Sequence, residues 1–203
     1  MKRYHVHRSA TVILDWQVSE LLNGFTFPWE QRAAPKTEFR ALWDDERLHF
    51  RFDCVDDDLV LGSGKTLKER VLGSDRVEIF LAPNLSLDPY FCFEMEPRGE
   101  VLAYSGRFHR QFDWGWSCSD LNITANVAER FYSIQGSLAL GTLRTFQVLK
   151  PDNREFLIGV YRAEFSQEPD GSILPGWMSW VHPRTERPDF HVPTAFGLFE
   201  LMA

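Results

Sequence analysis

The chain has 203 residues, enough for one domain with a substantial core, and its 44% hydrophobic and 25% charged residues are ordinary for a globular protein. A formal net charge of -7 excludes a nucleic-acid backbone as partner, because phosphate binding needs a concentrated Lys/Arg surface that this sequence lacks. Aromatic residues reach 14%, with 17 Phe and 7 Trp, an enrichment that suits strand faces and flat ligand-binding surfaces.

No apolar run reaches the length of a membrane span, so no membrane partner is expected. The opening MKRYHVHRSATVIL lacks the apolar centre and cleavage site of a signal peptide, although an extracytoplasmic setting stays open for a trimmed chain. Within it, His5 and His7 share one face of an expected N-terminal strand. Residues 18–22 fit one short helical turn. Thr37-Glu38-Phe39-Arg40-Ala41-Leu42-Trp43 alternates polar with apolar, Asp44-Asp45-Glu46 turns the chain, and Leu48 to Cys54 alternates again, which predicts a β-hairpin over 37–54.

The stretch Gly62-Ser63-Gly64-Lys65-Thr66 resembles a nucleotide phosphate loop in spelling alone. That loop needs a first glycine at position 59, where Leu59 stands, and a long helix behind it, for which the segment before Gly73 is too short. A solvated surface turn is expected instead. The preceding Asp56, Asp57 and Asp58 offer hard oxygen ligands that suit a structural calcium ion, with an ordinary solvated turn as the alternative; the spaced pattern of an EF-hand is absent.

Strands continue at Val77 to Leu81 and at Tyr90 to Met95, which pairs through the Pro97-Arg98-Gly99-Glu100 turn with Val101 to Tyr104. Further strands are expected at 122–127, 131–138, 156–165 and 196–201, with room for a helical turn or two around 138–149 and a polar loop at 166–175. Many short strands and few helices predict an all-β, two-sheet antiparallel β-sandwich, jelly-roll-like, forming a single domain over residues 1–203 with at most one or two short helices. Cys54, Cys92 and Cys118 are odd in number and lack CxxC spacing, so at least one free thiol, or three, is expected.

No catalytic motif stands out. His182 and His191 flank a proline-rich loop, and a zinc site built from them with His5 and His7 competes with locally hydrogen-bonded histidines. Asp75 and Glu78 are candidate ligand contacts, Glu78 projecting from the face opposite to Val77, Ile79 and Phe80, where it lines a groove or pairs with an arginine. Trp114, Trp116, Trp177 and Trp180 are candidate platforms, since an indole face matches the apolar C–H patch of a sugar ring; Trp114 and Trp116 share one side if their stretch is extended.

The order of these features resembles the family 9 carbohydrate-binding modules and wider relatives that share a sandwich with the cytochrome-like domains of sugar dehydrogenases. The matching pieces are Ala41-Leu42-Trp43-Asp44-Asp45-Glu46-Arg47-Leu48-His49-Phe50-Arg51-Phe52, then Val55-Asp56-Asp57, then Ser74-Asp75-Arg76-Val77-Glu78-Ile79-Phe80-Leu81. Tyr90-Phe91-Cys92-Phe93-Glu94 with the Gly99 turn, the late Trp180 and Ala195-Phe196-Gly197-Leu198-Phe199-Glu200-Leu201 follow. The resemblance implies non-catalytic binding of a mono-, oligo- or polysaccharide between two rings. Trp180 matches the late ring, Glu78 matches an acid that reaches sugar hydroxyls, and a fold-stabilising calcium is implied at Asp56 to Asp58. The early ring is missing, because residues 69–74 hold no aromatic, which leaves weak affinity, a different ligand, or Trp114 or Trp116 as the missing wall.

Three other readings stay open on sequence. Paired acids such as Glu78 and Glu94 fit a glycoside-acting enzyme. Haem attachment would draw on Met95, Met178 and the histidines. A protein-interaction sandwich would fill the groove with its own side chains.

Overall fold

The computed structural model describes residues 1–11 and 13–203, and strands dominate them. In chain order they are β1 (Arg3–Arg8), β2 (Thr37–Trp43), β3 (Arg47–Val55), β4 (Arg76–Ala82), β5 (Tyr90–Met95), β6 (Val101–Arg107) and β7 (Gln111–Asp113). They continue as β8 (Asn122–Ala128), β9 (Phe131–Ala139), β10 (Glu155–Ala163), β11 (Ser166–Gln167), β12 (Ile173–Leu174), β13 (Trp177–Ser179) and β14 (Gly197–Leu201). Two six-residue helices, α1 (Leu67–Leu72) and α2 (Leu140–Thr145), fall between strands. The all-β class and the expected hairpins β2–β3, β5–β6 and β8–β9 are present.

Hydrogen bonding gives one sheet in the order β7-β6-β5-β4-β10-β14-β1 and a second in the order β1-β2-β3-β9-β8, with β13 beside β10. β1 belongs to both. Its first part, Arg3 to Val6, pairs with β14, and His7 and Arg8 then pair with β2. Both pairings are parallel, which corrects the fully antiparallel expectation; the other pairings are antiparallel. The expected helical turn at 18–22 is a 3₁₀ turn at Trp16–Val18 instead, and Leu22 is drawn into a bridge with Phe39.

Period-two alternation builds the core. Phe39, Ala41, Leu48, Phe50, Phe52, Tyr132 and Ile134 from the second sheet meet Val77, Ile79, Leu81, Phe91, Phe93, Ile158 and Val160 from the first. The first sheet is also covered on its outer face. There Phe80, Tyr90, Cys92, Tyr104 and Tyr161 lie beneath Phe190, Ala195 and Phe196 from the segment 181–196, with Tyr161 and Phe190 stacked at 4.1 Å. Every residue of β4 and β5 is therefore buried, including the charged Arg76, Glu78 and Glu94 among their apolar neighbours. Phe80 shares the face of Glu78, contrary to the expectation that set them on opposite faces.

The Gly-rich stretch at 62–66 is a packing device. Val60 exchanges bonds with Asp75, Gly62 N donates to Ser74 Oγ at 2.8 Å, and a side chain on Gly62 would stand 2.5 Å from the Arg70 carbonyl oxygen. Thr66 and Glu69 form a reciprocal capping box that starts α1. This close approach explains both glycines without any phosphate. Gly62→Ala is expected to cost about 1–3 kcal/mol, as overpacking does, measured as a lower denaturant midpoint; an unshifted midpoint would mean the stretch moves aside freely.

Candidate ligand-binding site

The groove is built from the outward positions of the first sheet. Arg76 and Glu78 alternate outward on β4, and register places Glu78 directly across from Glu94 on β5. Arg76 Nε donates to Glu94 Oε2 at 2.6 Å, and its Nη2 lies 3.0 Å from Glu78 Oε1. The Tyr104 hydroxyl from β6 donates to Glu94 Oε1 at 2.7 Å. These four side chains are almost wholly buried and form a polar floor.

Two tryptophans stand at its rims. Trp177 on β13 is half-buried, with the Arg76 guanidinium carbon 5.4 Å from its ring centroid and Phe165 and Phe190 edge-on to it. Trp114, just beyond β7, is 40% exposed and packs on Tyr104 at 4.5 Å. Lys68 from α1 sets its ammonium 3.4 Å from the Trp114 centroid. The third wall is the segment from Pro188 to His191. Asp189 anchors it by accepting from Arg110 Nη1 at 3.0 Å and from the His191 backbone N at 2.9 Å, and by pairing with His109 Nε2 at 2.7 Å. His191 stacks on Phe80, and its Nδ1 lies 3.0 Å from the Tyr90 hydroxyl. Burial, aided by Arg110, lowers its pKa to about 3, so the ring is neutral. The groove has a volume of about 370 Å³, within the range of small-molecule sites.

The sequence profile described as "Carbohydrate family 9 binding domain-like" matches residues 15–203. The chain belongs to this family. A comparison with curated proteins returns no match. Among solved structures, one from Bacteroides uniformis ATCC 8492, provisionally described as carbohydrate-binding, superposes with a TM-score of 0.75 at 16% identity, covering 99% of each chain. A family 9 module from Caldicellulosiruptor kristjanssonii in complex with cellotriose gives 0.63 at 16% identity, over 98% of this chain and 93% of that one. A family 9 module from the same organism in complex with glucose gives 0.59 at 17% identity, over 99% and 96%.

In this family 9 domain the structure brings Glu78, Trp177 and Trp114 to one groove. It takes Trp180, Trp116 and Asp75 elsewhere. Trp180 is 6% exposed and lies in the inter-sheet core against Phe199, over Gly197, where a side chain would meet it at 2.4 Å. Trp177 and Trp180 are three residues apart, so a strand sends them to opposite faces. Trp116 packs inward on Phe91 and Phe146, because β7 ends at Asp113 and the chain turns there, with Gly115 N donating to Asp113 Oδ1. Asp75 is fully buried and accepts backbone N–H groups from Val60 and Phe165; burial and the nearby Asp56 charge raise its pKa to about 7. It holds two chain segments together, outside the groove.

The acidic run also divides. Asp56, Asp58 and Glu164 bring oxygens within 4.8 Å of one another, around a fully buried Arg162 whose Nη2 donates to Asp56 Oδ2 at 3.2 Å and pairs with Glu164. Asp57 points away to Arg130. Among the described residues, no histidine joins a cluster of three or more metal-donor side chains. Met95 and Met178 are fully buried in the core. All three cysteines are free thiols.

Sequence reasoning missed Arg76, Tyr104, Lys68 and Asp189. Arg76 was within reach, two residues before Glu78 on the same strand face. Lys68 and Asp189 carried no signal, since each reaches the groove only through the placement of α1 or of the 181–196 segment.

Burial, reinforced by the Glu94 charge and opposed by Arg76, raises the Glu78 pKa from 4.5 to about 8. The folded value lies above the unfolded one, so this contribution to stability is complete below about pH 4.5 and is lost as pH rises through about 8. Glu78→Gln is therefore expected to gain stability relative to wild type as pH rises from about 5 to about 8. Denaturant melts across that window check it, and a constant difference would mean that the carboxyl titrates normally.

Proposed function

We propose that the groove binds a saccharide without transforming it. The observation that carries this reading is the convergence of an accessible indole, Trp177, with the buried Arg76–Glu78–Glu94–Tyr104 floor. The indole face receives the apolar C–H side of a pyranose, and the floor offers carboxyl acceptors and a guanidinium donor for its hydroxyls. These groups are already held in place by one another, so binding orders little. Structural neighbours of the same family were solved with cellotriose and with glucose, which supports the ligand class.

An observation weighs against glycoside hydrolysis. Glu78 and Glu94 are adjacent on one wall and share one guanidinium, whereas hydrolysis needs two carboxyls flanking the scissile bond. A protein-interaction role with a self-filled groove fits poorly with about 370 Å³ of unfilled space.

Asp56, Asp58 and Glu164 supply the hard oxygen donors that suit calcium, with Arg162 paired to two of them. A cation there would brace the end of β10, whose neighbour Glu164 N donates to the Gly176 carbonyl just before Trp177. In this proposal calcium is structural.

Titration with cellotriose tests the groove. Trp177→Ala is expected to weaken binding by about 2 kcal/mol or more with little change in melting temperature. Trp180→Ala is expected to lose about 3–5 kcal/mol of stability, as a core tryptophan does. Undiminished binding by Trp177→Ala would put the ligand elsewhere. For the cation, EDTA is expected to lower the melting temperature and added calcium to restore it; a flat response rejects the ion.

A further inference from the structure

Three basic side chains line the groove, and two of them are matched. Arg76 is paired with Glu78 and Glu94, and Arg110 with Asp189. Lys68 makes no ion pair among the described residues; its ammonium rests on the Trp114 face instead. A ring face covered at 3.4 Å is closed to a sugar on that side. Trp114 acts there as a seat for a cation, since the negative face of an indole attracts an ammonium. Phe112 and Tyr104 hold the indole in turn, at 5.1 and 4.5 Å.

Granted the saccharide reading of this groove, we infer that its preferred ligand is a uronic acid, whose carboxylate pairs with the Lys68 ammonium while the ring lies on Trp177. The carboxylate of a hexuronic acid replaces only the hydroxymethyl group of a neutral hexose, so the stacking face is unchanged. Charge balance supports the assignment. Lys68, Arg76 and Arg110 face Glu78, Glu94 and Asp189, and His191 is neutral. Glu78, raised to about 8, holds its proton at neutral pH. The groove is then left with one uncompensated positive charge in a chain whose net charge is -7.

Calorimetric titration with D-glucuronate and with D-glucose, near neutral pH and at low ionic strength, tests the inference. Glucuronate is expected to bind about fivefold more tightly, the strength of a good exposed ion pair. That advantage is expected to shrink when about 0.5 M salt screens the pair. Lys68→Gln is expected to bring the affinity ratio to about one and Lys68→Arg to preserve it. Glucose bound as well as or better than glucuronate, or a ratio untouched by Lys68→Gln, overturns the inference and leaves the saccharide reading standing. Failure of both sugars to bind overturns the two together.

Discussion

Arg76 brings a positive charge into the face of a sheet where almost no water reaches it, a placement that would cost several kcal/mol without partners. Glu78 and Glu94 supply those partners from adjacent strands, and the Leu72 and Ser74 carbonyls accept from Nη1. The positions of both carboxylates follow from that single guanidinium. So does the seating of α1, because Leu72 is its last residue and Lys68 lies one turn earlier on it. The wall that carries the ammonium and the floor that carries the acids are thus parts of one connected arrangement.

The setting depends on a sheet buried on both faces. Inward residues of β4 and β5 meet the second sheet, while outward ones meet aromatic side chains from the segment 181–196. A bare outer face would leave Arg76 and Glu78 in water, where neither would be fixed nor perturbed. Covering most of that face and leaving one opening gives the pair its depth. It also gives Glu78 its raised pKa and sets the shape that Trp177 borders.

Local pattern made much of the architecture legible. Alternation in residues 37–54 and the glycine turn before β6 announced two hairpins that the structure contains. Strand parity held more than was drawn from it. The odd spacing of Trp177 and Trp180 already required opposite faces, and Arg76 stood in phase with Glu78. Parity failed at Trp114 and Trp116 because the strand stops at Asp113, and a turn there redirects the second ring. Parallel pairing of β1, the reach of Lys68 and the anchoring by Asp189 depend on partners 35 or more residues distant, where no periodicity reports. The acidic run shows the same limit: Glu164 joins Asp56 and Asp58 from far along the chain, while neighbouring Asp57 leaves.

β1 takes part in both sheets, pairing first with β14 and then with β2. Sliding one layer over the other would tear a continuous run of backbone bonds, so the sandwich behaves as a fixed jaw. The opposing jaw is the segment hung on Asp189, whose partners His109 and Arg110 sit at the solvent boundary. That jaw is clamped twice, by the ionic pairs of Asp189 at its outer edge and by Phe190 and His191 stacked on Tyr161 and Phe80 beneath it.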